Sequence, residues 1–126
     1  MTLAFVTGGS RGLGQATARG LNQAGIKIVL FARDTEQLRN AAAEMNSPFE
    51  VVELSNIDQT RKVFQMAVEK YGVPQILMLA HGVMSDRMAK TLKATHAEWR
   101  RVMAINLDSV FTIVNEVGAK MAEARN

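Results

Sequence analysis

The strongest constraint on this chain is an alternation. Four short apolar runs, at residues 3–7, 27–32, 49–54 and 75–80, are separated by longer stretches whose apolar residues recur at helical spacing. The runs "IKIVLFA" and "QILMLA" are almost continuously apolar, the pattern of strands covered on both faces. Residues 12–24 place Leu13, Ala16, Leu21 and Ala24 at helical spacing, and Asp34 stands where it can cap a second helix carrying Leu38, Ala41, Ala42 and Met45. Residues 55–58 open a third helix with Val63, Phe64, Ala67, Val68 and Tyr71, which Gly72 and Pro74 stop. Thr95-His96-Ala97-Glu98 has capping-box spacing and leads a fourth pattern through Trp99, Val102, Met103 and Leu107. Strand–helix alternation of this kind predicts an α/β fold with a doubly wound parallel sheet and helices on both faces.

Composition narrows the field further. A length of 126 residues fits one domain, and 48% hydrophobic content with two prolines fits a packed globule. No run approaches the roughly 18 apolar residues of a membrane span, so no membrane partner is expected. The start "MTLAFVTGG" lacks the basic region and cleavage pattern of a signal peptide. The absence of cysteine excludes disulfides and thiolate metal sites and fits a reducing cytoplasmic setting. The net charge of +3 is spread over Arg11, Lys27, Arg33, Arg61, Lys62, Lys90, Lys93, Arg100 and Arg101 with acids between them. No basic stripe interleaved with aromatics appears, so a solvated surface is favoured over a nucleic-acid partner.

Between the first strand and the first helix lies Gly8-Gly9-Ser10-Arg11-Gly12-Leu13-Gly14. At a strand-to-helix junction of a βαβ unit, glycines permit a tight turn and close approach of backbone N–H groups to a pyrophosphate. The ligand's charge then meets the positive end of the helix dipole. No Gly-Lys-Ser/Thr follows, which disfavours a nucleoside-triphosphatase loop. The alternative is a glycine-rich turn with no ligand.

Thr7-Gly8-x-x-x-Gly12-x-Gly14, together with Glu53-Leu54-Ser55, Gln75 to Met78, Gly82 and "EWRRVMAINLDSVF", resembles the short-chain dehydrogenase/reductase family, in order and over the whole chain. The resemblance implies a Rossmann sheet of strand order 3-2-1-4 within this chain, truncated before a fifth strand. It also implies a cofactor site drawn from Gly8, Ser10, Arg11, Gly12, Leu13, Gly14, Arg33, Glu53, Leu54, Ala80, His81 and Gly82. Where NAD-preferring proteins carry an acid after the second strand, this chain has Ala32 and Arg33. A guanidinium pairs with a 2′-phosphate that a carboxylate would repel, and Arg11 supplies a second cation, so the expected cofactor is NADP. Two merely superficial arginines are the alternative, and Asp34 complicates the choice, being able to contact ribose instead of capping a helix.

Three departures stand out. Glu53 occupies a position where the family carries Asp, facing adenine. The family's Asn-Asn-Ala-Gly reads Leu79-Ala80-His81-Gly82, and leucine cannot make the backbone ties of the first asparagine. His81 there is expected to line the cofactor channel or pack, a catalytic role being the alternative. Asn106 matches the family asparagine that helps hold a water in the proton relay, while Met84, Met88 and Trp99 read as apolar filling or oligomer surface.

The family's proton donor is a Tyr-x-x-x-Lys preceded by a serine. The single tyrosine, Tyr71, is followed by Gly72-Val73-Pro74-Gln75 and fails this pattern. The chain is therefore expected to be the cofactor-binding half of a single-domain reductase acting on a small carbonyl or alcohol, and to be inactive alone. A catalytically silent dinucleotide-binding subunit is the second reading. The implied partners are further copies of the chain, packed through the last helix, or the remaining half of the same fold.

Overall fold

The computed structural model describes residues 1–84 and 91–124. Its sheet has four parallel strands in the order β3-β2-β1-β4, with β1 at Leu3–Thr7, β2 at Lys27–Ala32, β3 at Phe49–Val51 and β4 at Ile76–Leu79. Register runs from Leu3↔Lys27 to Thr7↔Phe31 on one side of β1 and from Ala4↔Ile76 to Thr7↔Leu79 on the other. This is the doubly wound order that the alternation and the resemblance imply. Helices α1 (Gly12–Gln23), α2 (Glu36–Met45) and α3 (Ile57–Tyr71) connect the strands, and α4 (His96–Ala124) follows a short 3₁₀ turn at Thr91–Lys93.

Strand side chains alternate between faces, and β1 divides its residues accordingly. Leu3 and Phe5 join Val29, Phe31, Phe64, Ile113 and Val117 in one apolar cluster, under α3 and α4. Ala4 and Val6 join Ala18, Ile28, Leu30, Leu38 and Met45 in the other, under α1 and α2. The first cluster centres on three fully buried rings, with Phe31 stacked on Phe64 at 4.3 Å and tilted against Phe5 at 5.0 Å. Both clusters are needed because a parallel sheet has no face it can leave to water.

Several expectations are revised. Thr35, not Asp34, caps α2: its side chain accepts from the Leu38 N–H, and Asp34 pairs with Arg39 instead. Asn56 and Thr95 cap α3 and α4 in the same way. β3 ends at Val51 rather than at residue 54. Val52 still donates to the Ala32 carbonyl, but there β2 itself ends, and the Glu53 N–H turns to the Gln59 side chain.

The fourth helical pattern also differs. α4 contains two π turns, at Ala104–Asp108 and Val114–Gly118, which rotate its inner face. Ile105, Ser109, Thr112, Ile113 and Val117 are buried, whereas Trp99, Leu107, Phe111 and Val114 are exposed. Met84 is exposed as well, and Met88 lies outside the described residues. By length and composition α4 is apolar enough to cross a membrane, with an 18-residue window of mean hydropathy 1.2. Looking for uninterrupted apolar runs misses it because Asn106, Asp108 and Asn115 break them.

Candidate functional site

The C-terminal ends of the strands open on a cavity of about 590 Å³. In open parallel sheets this is where ligands bind. Its floor is backbone. Gly8 has φ +68°, and a Cβ there would lie 2.6 Å from the Ala80 carbonyl oxygen. A Cβ on Gly14 would stand 2.0 Å from the Gly8 carbonyl oxygen. The first turn of α1 is thus drawn against the end of β1, and both against the end of β4, at separations only glycine allows.

Arg11 occupies the N-cap of α1 in extended conformation, with no side-chain cap bond and no acidic residue in the first turn. The N–H groups of that turn are left without a side-chain acceptor, a setting that suits an anion. Arg11 and Arg33 line the cavity, and both also line an adjoining one of about 740 Å³, with Gly82, Val83, Met84, Arg101 and Asn106.

Of the residues singled out from the sequence, Gly8, Gly12, Leu13, Gly14, Glu53, Leu54, Ala80, His81 and Gly82 line the first cavity beside the two arginines. Ser10 lies elsewhere, in a groove between α1 and α2 with Gln15, Arg19, Gln37 and Glu44. Glu53 closes on its own turn, its Oε1 accepting from the Ser55 hydroxyl at 2.9 Å.

His81 is held at both nitrogens. Ser109 Oγ donates to the Ile105 carbonyl at 2.6 Å, so it accepts from His81 Nε2–H at 2.7 Å. Nδ1 is then left to accept from the Thr7 hydroxyl at 2.6 Å, and Thr7 Oγ1 accepts from the Ala80 N–H at 3.2 Å. This arrangement suits a neutral imidazole with its hydrogen on Nε2. Burial pushes the His81 pKa below the ordinary imidazole value, against a smaller upward pull from the Ile105 carbonyl. The ring therefore spans the end of β1, the end of β4 and α4. Both nitrogens are occupied, which argues against a free general base.

Asn106 grips the same segment from the other side. Its Oδ1 accepts from the Val83 N–H and its Nδ2 donates to the Val83 carbonyl, each at 2.8 Å. Only one orientation of the amide satisfies both bonds. Tyr71 lies at the C-terminal end of α3, donating to Glu50 at 2.7 Å, and its pKa is raised, first by burial and then by the carboxylate. A phenol with a raised pKa is the opposite of an activated proton donor.

Thr7, Ser109 and Arg101 were not singled out as site residues from the sequence. Ser109 carried a usable signal, since it follows Asn106 by three residues on one helix. Arg101 carried only part of one: its pair with Glu98 is a local i,i+3 pair on α4, but its bond to the Met84 carbonyl joins residues 17 apart.

Residues 2–126 match the short chain dehydrogenase family, and the chain belongs to it. It is 32% identical over 125 residues to the 3-oxoacyl-[acyl-carrier-protein] reductase FabG of Buchnera aphidicola, covering 97% of this chain and 50% of that one. Among solved structures, a metagenomic short-chain oxidoreductase in complex with NADP superposes with a TM-score of 0.91 at 28% identity, covering 99% of this chain and 58% of the other. A protein described as ribose-5-phosphate isomerase from Brucella melitensis 16M superposes equally well, at 0.91 and 26% identity, over 99% of this chain and 48% of its own. The chain spans about half the length of the curated relatives it matches.

Proposed function

We propose that residues 1–126 form the dinucleotide-binding portion of a single-domain, NADP(H)-dependent oxidoreductase that interconverts a carbonyl and an alcohol by hydride transfer. The observation that carries this reading is the uncapped start of α1, which borders the cavity of about 590 Å³ that Arg11 and Arg33 also line. In this reading the pyrophosphate sits on the first turn of α1, and the two guanidinium groups take the 2′-phosphate. Glu53 and Leu54 border the adenine, and Ala80, His81 and Gly82 border the channel toward the nicotinamide, which when bound supplies or accepts the hydride. The NADP complex of a structural relative supports the choice of cofactor.

Asn106 keeps one further donor and one further acceptor capacity after binding Val83, enough to hold the relay water. The proton donor lies outside these residues. An acyl-carrier substrate is suggested by the Buchnera relative, but the Brucella protein with the same fold and a different described activity keeps the substrate open. The setting is cytoplasmic, and the stripe Leu107, Phe111 and Val114 on the outer face of α4 is covered by a second copy or by the rest of the same fold.

Titration with NADPH and NADH, followed by nicotinamide fluorescence, tests the reading; tighter binding of NADPH is expected. Calorimetry that finds no binding of either dinucleotide to a demonstrably native chain would sink it. A second reading, a silent dinucleotide-binding subunit, is favoured by the engagement of both His81 nitrogens and by Tyr71 being bonded to Glu50. Both readings expect no turnover from these residues alone. Reading the coding frame past Asn126 separates them: a Ser followed by Tyr-x-x-x-Lys supports the reductase, and an immediate stop supports the silent subunit.

A further inference from the structure

The end of β2 carries a carboxylate next to the arginine assigned to the 2′-phosphate. Asp34 follows Arg33 directly, and a free acid at such a position repels a phosphate and accepts from a ribose hydroxyl. Here it is not free. Arg39, five residues on in α2, donates to the same Oδ1 from Nη2 at 2.7 Å and from Nε at 3.1 Å. The guanidinium is also set over the Phe49 ring, 5.3 Å from its centroid, so β3 fixes it from a second direction. Asp34 has no capping duty to explain its place, because Thr35 caps the helix.

We infer that Arg39 is a cofactor-specificity residue acting through Asp34. It masks the carboxylate directly adjoining Arg33, so that Arg33 faces an anion without a competing charge from its own turn; the cavity's other carboxylate, Glu53, lies beyond β3 and is bonded to Ser55. This inference rests on the reading of the cavity as an NADP site. It assigns Arg39 no contact with the cofactor; its role is to hold and neutralise its neighbour. Both side chains are more than half exposed, so the contribution is modest.

A double-mutant cycle tests it. NADPH and NADH affinities are measured by fluorescence titration for the unmodified protein, Arg39→Gln, Asp34→Asn and the double variant, with thermal melts to verify folding. Arg39→Gln is expected to reduce the preference for NADPH about fivefold, an effect that fades at high salt. Asp34→Asn is expected to retain or raise the preference, and in that background Arg39→Gln should change nothing further. Persistence of the Arg39→Gln loss in the Asp34→Asn background overturns the inference, because Arg39 then contacts the phosphate itself. An unchanged preference in Arg39→Gln overturns it too. If the unmodified protein favours NADH or binds neither dinucleotide, the NADP reading falls first and this inference with it.

Discussion

The first two strand-to-helix turns of this protein solve the same problem in opposite ways. Each must deal with the unpaired N–H groups at the start of a helix. After β2, the chain closes the matter internally: Thr35 accepts from Leu38, and Asp34 is bonded to Arg39. After β1, glycines replace the capping side chain, and Arg11 at the N-cap makes no such bond. The β1–α1 turn therefore gives up local stabilisation and keeps backbone donors for a ligand. The β2–α2 turn is self-sufficient and offers the cavity a side chain, Arg33. On the proposed reading, the binding capacity of this sheet end lies where its own hydrogen bonding is left incomplete.

The largest effect should come from forcing a side chain into the open turn. Gly14→Val places a Cβ 2.0 Å from the Gly8 carbonyl oxygen, a clash no rotamer relieves. Loss of dinucleotide binding is expected, with destabilisation of several kcal/mol in urea unfolding, about the range of the larger single-site effects. Native-like binding by this variant would mean that the close approach of α1 to the end of β1 is not required. Next in size is Arg33→Asp, which replaces the side chain that the second turn contributes. NADPH affinity should fall on the order of 10- to 100-fold, with NADH affinity held or improved, as charge-assisted phosphate bonds are lost and a repulsion is added. An equal fall for both dinucleotides would show that Arg33 supports the fold instead of reading the 2′-phosphate.

How much of this was legible in advance follows from how local each interaction is. The two-faced core was readable because β2 and β4 carry near-continuous apolar patterns that suit a sheet covered on both faces, while the strand order came from the family resemblance. The glycine loop was readable because the approach of Gly14 to Gly8 is local, although that of Gly8 to Ala80 joins residues far apart in the chain. Asp34 was misread as a cap because aspartate and threonine are comparable caps, and only the backbone decides that Thr35 stands at the N-cap. The bonds of His81 to Thr7 and Ser109 span 74 and 28 residues, so no local pattern contained them. The buried face of α4 was obscured by its π turns, which break the 3.6-residue period on which the expectation relied.

A smaller change sharpens the contrast from the closed side. Thr35→Ala removes the cap of α2 and should cost about 1 kcal/mol in denaturant unfolding, with dinucleotide affinity unchanged. A matching loss of affinity would mean that the β2–α2 turn is coupled to the site after all.

The smallest expected effect is one of pH, and it sits beneath the open turn. His81 is neutral in the folded protein, its pKa lowered below 6.5 by burial, while in the unfolded chain it titrates near its ordinary value. Between those two values the unfolded chain holds more protons than the folded one, so stability rises with pH across that window. His81 should therefore cost nothing above pH 6.5, and should weaken the fold progressively as pH falls from 6.5 through its lowered folded value. Protonation would put a hydrogen on Nδ1, where the Thr7 hydroxyl now donates, and Thr7 would have to find a new acceptor. His81→Gln, which cannot take up this proton, should flatten that part of the stability profile in urea unfolding measured from pH 7.5 downward. A slope unchanged by the substitution would place the pH sensitivity in other groups and leave the Thr7–His81–Ser109 bridge without a titrating role.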